Sequence, residues 1–234
     1  MIGIIIQLVI SYILLHFVDD RKLGVLGIYP TKKRMIDFSV FFFSSMIACS
    51  SGFIFRMIFA KESWGLNPFL DTRLFAEGIW WNIKSVLFEE LIFRAAMLFL
   101  LIKWVGELTA VIISAVSFGV YHWFSLEVFG NPWMMLQTFL SSALIGIVWA
   151  WAFVKSQSIY SAIAMHLGWN FTQNFIFSNG PIGKGIWILL EPSPQITVGY
   201  FTYFLIVYFP MVLFIAWSLF LLILRNKKGS MISQ

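Results

Sequence analysis

The chain carries the stretch FEELIFR at residues 88–94, within an otherwise apolar segment that runs roughly from residue 84 to residue 103. An α-helix of about 20 apolar residues can cross a bilayer, so this segment predicts a membrane span. Each charged side chain near the bilayer centre costs about 2.5–3.5 kcal/mol on the insertion scale. Three charges at this depth therefore indicate a buried partner or a chemical task.

Helix geometry separates the roles of these charged residues. Glu90 and Arg94 are four residues apart, so they share a helix face and can form an ion pair. Glu89 points about 100° away from Glu90, because an α-helix has about 3.6 residues per turn. Glu89 can therefore take part in chemistry while Glu90 holds the arginine. The structural alternative is a salt-bridge network that only locks helices together, although ionisable residues inside a membrane more often mark a functional site.

Composition restricts the class of protein. Of the 234 residues, 60% are hydrophobic and only 12% are charged, about half the charged fraction of a soluble domain. The net charge of +5 comes from basic residues in short loops and at the tail, which is typical of a topology signal and does not indicate nucleic-acid binding. The single cysteine, Cys49, excludes an internal disulfide and a thiol-based metal cluster.

The apolar segments predict an all-α, polytopic transmembrane helix bundle in one integral-membrane domain, residues 1–234. About seven spans are expected, near residues 1–18, 36–59, 84–103, 108–124, 133–154, 159–177 and 197–224. The mixed segment 61–83 predicts an amphipathic surface helix from Pro68 onward, and the count becomes eight if this segment dips into the bilayer. A loop rich in glycine and proline is expected at residues 178–195.

Further polar residues lie at membrane depth in other predicted spans. His122 ends the fourth span, and His166 and Asn170 lie four residues apart on one face of the sixth. Taken singly, His122 could be interfacial beside Trp123, and His166 with Asn170 could be an interhelical hydrogen-bonding pair. Together with two carboxylates they suit hydrolysis. A carboxylate or histidine can act as general base on water, and a His–Asn pair can stabilise an oxyanion.

The polar residues fall into three ordered motifs, EExxxR at 89–94, FxxxH at 118–122 and HxxxN at 166–170. These resemble the motifs of the CAAX prenyl protease 2 and bacteriocin-processing family (CPBP, also called ABI), which are intramembrane endopeptidases. The resemblance covers a catalytic-motif core of roughly residues 84–175. Each motif alone is weak, but three in order on separate predicted spans are specific.

The resemblance implies four catalytic residues and two supporting residues, namely Glu89, His122, His166 and Asn170, with Glu90 and Arg94. In this scheme Glu89 and His122 activate the attacking water. His166 and Asn170 form the oxyanion site, and the supporting pair orients the first glutamate and holds the helices. In the prenyl-processing relatives the site opens to the cytosol, whereas the loop charges here place the Glu89–His122 end outside. The membrane face of the site therefore stays open.

The leading hypothesis is a multi-pass protease of a bacterial plasma membrane that needs no cofactor and no metal. Its substrate would be a membrane-associated peptide or protein precursor, such as a bacteriocin-like or pheromone-like peptide or a surface-protein precursor. A zinc metalloprotease using the same side chains is one alternative, although the chain has no HExxH motif. A non-catalytic scaffold or bacteriocin-immunity protein with a membrane-protein partner is another, and a proton-relay transporter is the third.

Overall fold

The structure is a computed structural model that describes residues 2–178, 185–194 and 197–230, with side chains up to residue 225. Residues 179–184 and 195 of the predicted glycine- and proline-rich loop lie outside the described residues. The described part of the chain is mainly helical, and its helices are α1 (Ile2–Asp19), α2 (Lys32–Phe59), α3 (Thr72–Phe93), α4 (Ala96–Val105), α5 (Glu107–Ser125), α6 (Pro132–Ser156), α7 (Ile159–Phe171), α8 (Tyr200–Val207) and α9 (Phe209–Ser230).

Four of these helices, α1, α2, α5 and α6, are long and apolar enough to cross a membrane. The pair α8 and α9 is bent by 52° and would make a fifth span if it crosses as one unit. These figures refer to the described residues only. The helical membrane class is confirmed, while the count of seven or eight spans stays a prediction.

The prediction of one continuous helix over residues 84–103 is wrong, because the helix is interrupted at Arg94 and Ala95. Helix α3 begins at Thr72, so the expected surface helix and the start of the expected span are one element. It ends at Phe93, and α4 begins at Ala96. A break leaves carbonyls without their i+4 donors, and an apolar surrounding makes another donor necessary. The buried hydroxyl of Ser114 donates to the Phe93 carbonyl over 3.0 Å and meets this need.

The sixth predicted span, residues 159–177, also differs from the continuous helix that was expected. Helix α7 ends at Phe171 and is followed by a π-helical turn, Thr172–Ile176. The Thr172 hydroxyl donates back to the Gly168 carbonyl over 2.9 Å, a bond that competes with regular helical pairing. The seventh predicted span is bent rather than straight, with its break at Tyr208.

A small sheet adds to the all-α fold that the sequence predicts. Its strands are β1 (Trp64–Leu66), β2 (Phe177–Ser178) and β3 (Trp187–Leu189), in the order β1-β3-β2. Strands β1 and β3 are antiparallel with Gly65 opposite Ile188, and β2 and β3 are parallel. Strands of two or three residues are too short to show an alternation of apolar and polar residues, so the sequence did not predict them.

The chain divides into two compact units. The first comprises Met1–Phe38, Leu87–Ile163 and Leu222–Gln234, and the second comprises Ser39–Val86 and Ala164–Leu221. The single domain expected over 1–234 stays a prediction.

Each unit has its own close packing. The first contains a cluster of buried apolar side chains from α1, α4, α5 and α6 that includes Leu15, Leu98, Val111, Ala150 and Phe153. In the second, α7 approaches α2 so closely that a Cβ on Gly168 would lie 2.3 Å from the Phe42 carbonyl oxygen. Only glycine is compatible with this approach.

Candidate active site

The first unit contains the buried ion pair that the EExxxR spacing predicts. Arg94 Nη1 donates to Glu90 Oε1 over 3.1 Å, and both side chains are fully buried. The pair joins the last turn of α3 to the residue that follows it. A buried charge is tolerated only when it is paired, so this contact explains how two of the three charges can lie among apolar residues.

Aromatic rings surround the Arg94 guanidinium in addition to Glu90. The guanidinium carbon lies 4.2 Å from the ring centre of Phe118, 5.3 Å from that of Trp149 and 5.6 Å from that of Phe93. These distances are within the range of cation–π attraction, which is strongest where water is excluded. Arg94 Nη2 also points to the Gly146 carbonyl oxygen at 3.5 Å. Side chains and backbone from α3, α5 and α6 thus form one enclosure for this charge.

Glu89 differs from its neighbour in burial. Glu90 is fully buried, whereas Glu89 is half-buried, as expected for adjacent residues on different faces of a helix. The two glutamates therefore have the different environments that separate chemical and supporting roles require.

His122 is oriented by its own helix. Its Nδ1 lies 2.8 Å from the Phe118 carbonyl oxygen one turn earlier in α5. A carbonyl can only accept, so Nδ1 carries the proton and the lone pair of the neutral ring is on Nε2. The ring packs edge-on against Phe118 at 4.4 Å and against Tyr121 at 5.4 Å between centres. Phe118 thus contacts both Arg94 and His122, which accounts for the phenylalanine of the FxxxH motif.

The second unit contains the other two predicted residues. Asn170 Nδ2 lies 3.0 Å from His166 Nε2 in α7, so the pairing predicted from their spacing is confirmed. Because the amide nitrogen can only donate, Nε2 accepts, and neutral His166 carries its proton on Nδ1. His166 is almost fully buried at 2% exposure, and Asn170 is half-buried. The histidine therefore fixes the amide orientation and leaves the second N–H of Asn170 to other acceptors.

Sequence reasoning missed several residues that build the first unit's site. Trp149 and Gly146 come from α6, which carries none of the three motifs, and Ser114 supports the break after α3. A signal for Gly146 was its place among small residues in an apolar span, which favours close helix packing. A Cβ there would lie 3.2 Å from Arg94 Nη2. No comparable signal distinguished Trp149, because tryptophan is common in spans and at interfaces.

Four of the predicted site residues, Glu89, Glu90, Arg94 and His122, belong to the first unit, and His166 and Asn170 belong to the second. Among the residues that the structure describes, no group of three or more His, Cys, Asp or Glu side chains has an arrangement suited to a metal ion.

Comparison with known families gives a match to part of the chain. The family model described as "Type II CAAX prenyl endopeptidase Rce1-like" matches residues 72–172. The matched segment begins with α3, ends one residue beyond α7 and contains all three motifs. No curated protein and no solved structure matches the chain.

Proposed function

We propose that this chain belongs to the Rce1-like family of type II CAAX prenyl endopeptidases, whose model matches residues 72–172, and that it hydrolyses a peptide bond in a membrane-associated peptide or protein precursor. The observation that carries the proposal is the family match, because its range contains all three motifs. The chain is thus a CAAX-protease-type enzyme embedded in a membrane by its apolar helices. We place it in a bacterial plasma membrane.

In the proposed reaction, Glu89 takes a proton from a water molecule, and the water oxygen forms a bond to the carbonyl carbon of the substrate. The electron pair of the C=O bond moves to the carbonyl oxygen, which becomes an oxyanion. The oxyanion then re-forms the C=O bond as the C–N bond breaks, and the leaving nitrogen keeps the electron pair of that bond and takes the proton. This sequence requires one base near the water and a donor near the developing negative charge.

His122 is suited to share the handling of this proton. Because its Nδ1–H is directed to the Phe118 carbonyl, the basic nitrogen of the neutral ring is Nε2. Nε2 can accept the proton from water together with Glu89 or deliver it to the leaving amine. The same helix supplies the acceptor that fixes the tautomer, so no further residue is required for this orientation.

The proposed oxyanion donor is the Asn170 amide, with His166 as its positioning partner. Since His166 Nε2 accepts one amide N–H, the other N–H of Asn170 serves the oxyanion. Glu90 and Arg94 fill the supporting role, because they fix the end of the helix that carries Glu89.

The experiment compares peptide termini in membrane and secreted fractions of cells that express wild type, Glu89→Gln or Glu77→Gln. Glu77 is a matched control, because it is an exposed glutamate on the same helix, paired with Arg73. We expect new termini with wild type and with Glu77→Gln and none with Glu89→Gln. A farnesylated peptide ending in Cys-aliphatic-aliphatic-X tests in parallel the substrate that the family name states.

Identical termini in all three strains, with Glu89→Gln stably inserted, would contradict the proposal and favour a scaffold or immunity role. Metal analysis of purified protein decides between the proposed chemistry and a metalloprotease. Stoichiometric zinc that activity requires would overturn the assignment of Glu89 as the base.

A further inference from the structure

Basic side chains are concentrated where α1 is joined to α2, in a segment of the first unit that the proposed reaction does not use. Lys22 lies in the connecting loop, and Lys32 and Lys33 begin α2. All three residues are exposed, and none of them takes part in an ion pair within the part of the chain that the structure describes. These three lysines are called the basic patch below.

The acidic residues that flank this connection do not balance the basic patch. Each lies within 4.0 Å of a basic side chain outside the patch, namely Asp19 with Lys103, Asp20 with His16 and Asp37 with Arg225. Asp37 is four residues after Lys33 and shares its helix face, so the two could have formed an ion pair. Instead Arg225 Nε donates to Asp37 Oδ2 over 2.8 Å. The positive charge of the patch is therefore left for a partner outside this segment.

Hydrogen bonds from side chains hold three consecutive carbonyls of the connecting loop. They run from the Ser158 hydroxyl to Gly27 over 3.0 Å, from the Tyr160 hydroxyl to Ile28 over 3.3 Å, and from Arg34 Nη1 to Tyr29 over 2.7 Å. Gly27 has a φ of +66°, and an added Cβ would lie 2.5 Å from the Gln157 carbonyl oxygen. A topology signal needs only positive charge in a loop, whereas this loop carries its lysines on a fixed framework.

Exposed apolar side chains lie beside these cations on the same helices. Ile36 is one turn after Lys32 on the same face of α2 and is 54% exposed. Phe17 and Val18 are exposed at the end of α1 that leads into the loop. Because α1 and α2 are long and apolar enough to cross a membrane, the connection between them lies at the depth of the lipid headgroups. The face of α2 thus presents a cation at headgroup depth and an apolar side chain one turn deeper.

We propose that the basic patch binds the headgroup of an anionic phospholipid, whose acyl chain lies against the exposed apolar face at Ile36. Each basic residue near an anionic lipid surface strengthens binding by about fivefold. A free phosphate would contact the lysines alone, whereas a phospholipid contacts both the lysines and the apolar face below them. The site takes no part in the proposed proteolysis, and it would hold the α1–α2 connection to one leaflet of the membrane.

The test compares the binding of phosphatidylglycerol, which is anionic, with that of phosphatidylcholine, which has no net charge. Each lipid carries a pyrene group on one acyl chain, and energy transfer from the tryptophans of the purified chain in mild detergent micelles reports binding. We expect wild type to bind phosphatidylglycerol at least about tenfold more tightly than phosphatidylcholine. Lys32→Gln/Lys33→Gln should bind phosphatidylglycerol about 5–25-fold more weakly, with its affinity for phosphatidylcholine and its unfolding transition unchanged.

Two matched variants and one competitor complete the test. Lys32→Arg/Lys33→Arg keeps both charges and should bind phosphatidylglycerol within about twofold of wild type. Lys61→Gln/Arg73→Gln removes two exposed cations of the second unit and should keep the wild-type preference. Excess inorganic phosphate at constant ionic strength should not displace the labelled phosphatidylglycerol, because phosphate has no acyl chain.

The outcomes decide whether the patch is a lipid site. Equal affinity of wild type for the two lipids would overturn the proposal and favour an acidic protein segment as the partner. Displacement by inorganic phosphate would overturn it in favour of a free anion. An equal loss of the preference in Lys61→Gln/Arg73→Gln would show that net charge, and not the patch, attracts the lipid. Glu89→Gln should bind both lipids as wild type does, so a failure of the proposed proteolysis leaves this inference standing.

Discussion

Removal of one member of the Glu90–Arg94 pair should destabilise the protein far more than removal of both. The two side chains are fully buried, and a 3.1 Å contact joins them. Arg94→Ala leaves the Glu90 carboxylate buried without its cation, and it also removes the group on which the aromatic enclosure packs. Loss of one partner of a buried pair typically costs about 3–5 kcal/mol, and we expect a value in that range or above it.

The double replacement Glu90→Leu/Arg94→Met removes both charges and keeps most of the volume. Replacement of a buried ion pair by apolar residues of similar size is often neutral or stabilising by about 1–4 kcal/mol. The two single variants, Glu90→Leu and Arg94→Met, should therefore each be several kcal/mol less stable than the double variant. Wild type, the two single variants and the double variant form a cycle that gives the coupling energy between Glu90 and Arg94. We expect this coupling energy to be large, because both side chains are buried.

The assay is equilibrium unfolding of the purified protein in mild detergent micelles by added dodecyl sulfate, followed by tryptophan fluorescence. Glu77→Gln, which removes an exposed ion pair with Arg73, is the control and should lie within about 1 kcal/mol of wild type. If the free energy of unfolding of Arg94→Ala also lies within about 1 kcal/mol of wild type, the reasoning is refuted, because the guanidinium would then be hydrated or dispensable. Activity of the double variant gives a second readout, since cleavage should stay low if the pair positions Glu89.

Two further substitutions test the packing of each unit in the same unfolding assay. Gly168→Ala should lose about 1–3 kcal/mol or more, since its Cβ would meet the Phe42 carbonyl oxygen at 2.3 Å, whereas Gly199→Ala, with no atom within 4 Å, should be neutral. Trp149→Leu should be clearly less stable than Trp149→Phe, because only phenylalanine keeps an aromatic face toward Arg94. Equal stability of the members of either pair would contradict the corresponding contact.

The parts of the site that could be predicted from the sequence are those that depend on helix periodicity alone. The spacing of four residues placed Glu90 beside Arg94 and His166 beside Asn170, and the structure contains both contacts. The offset of about 100° between adjacent residues predicted that Glu89 and Glu90 point in different directions, and the two side chains differ in burial. Local geometry fixes these relations once the segment is helical, so no knowledge of the rest of the chain was required.

The helix interruptions could not be predicted in the same way, because their causes lie elsewhere in the chain. Residues 84–103 contain no proline or glycine to mark a break, yet α3 ends at Phe93. The hydroxyl that satisfies the Phe93 carbonyl belongs to Ser114, 21 residues later. A hydropathy window records such a segment as one span, since it measures composition and not hydrogen bonding. The three-stranded sheet was not predicted for a related reason, because β1 pairs with residues more than 120 positions away in the chain.

The enclosure of Arg94 shows why a motif search identifies only part of this site. The arginine's charge is balanced by Glu90, yet its faces contact Phe118 from α5 and Trp149 from α6, and the Gly146 carbonyl lies at its edge. Each of these contacts is specific to a buried guanidinium, because a lysine ammonium has neither the flat faces nor the five donors. Helix α6 therefore contributes to the position of α3 although it carries no motif residue. A variant that changes only α6 can consequently displace the end of the helix that carries Glu89 while all three motifs remain intact.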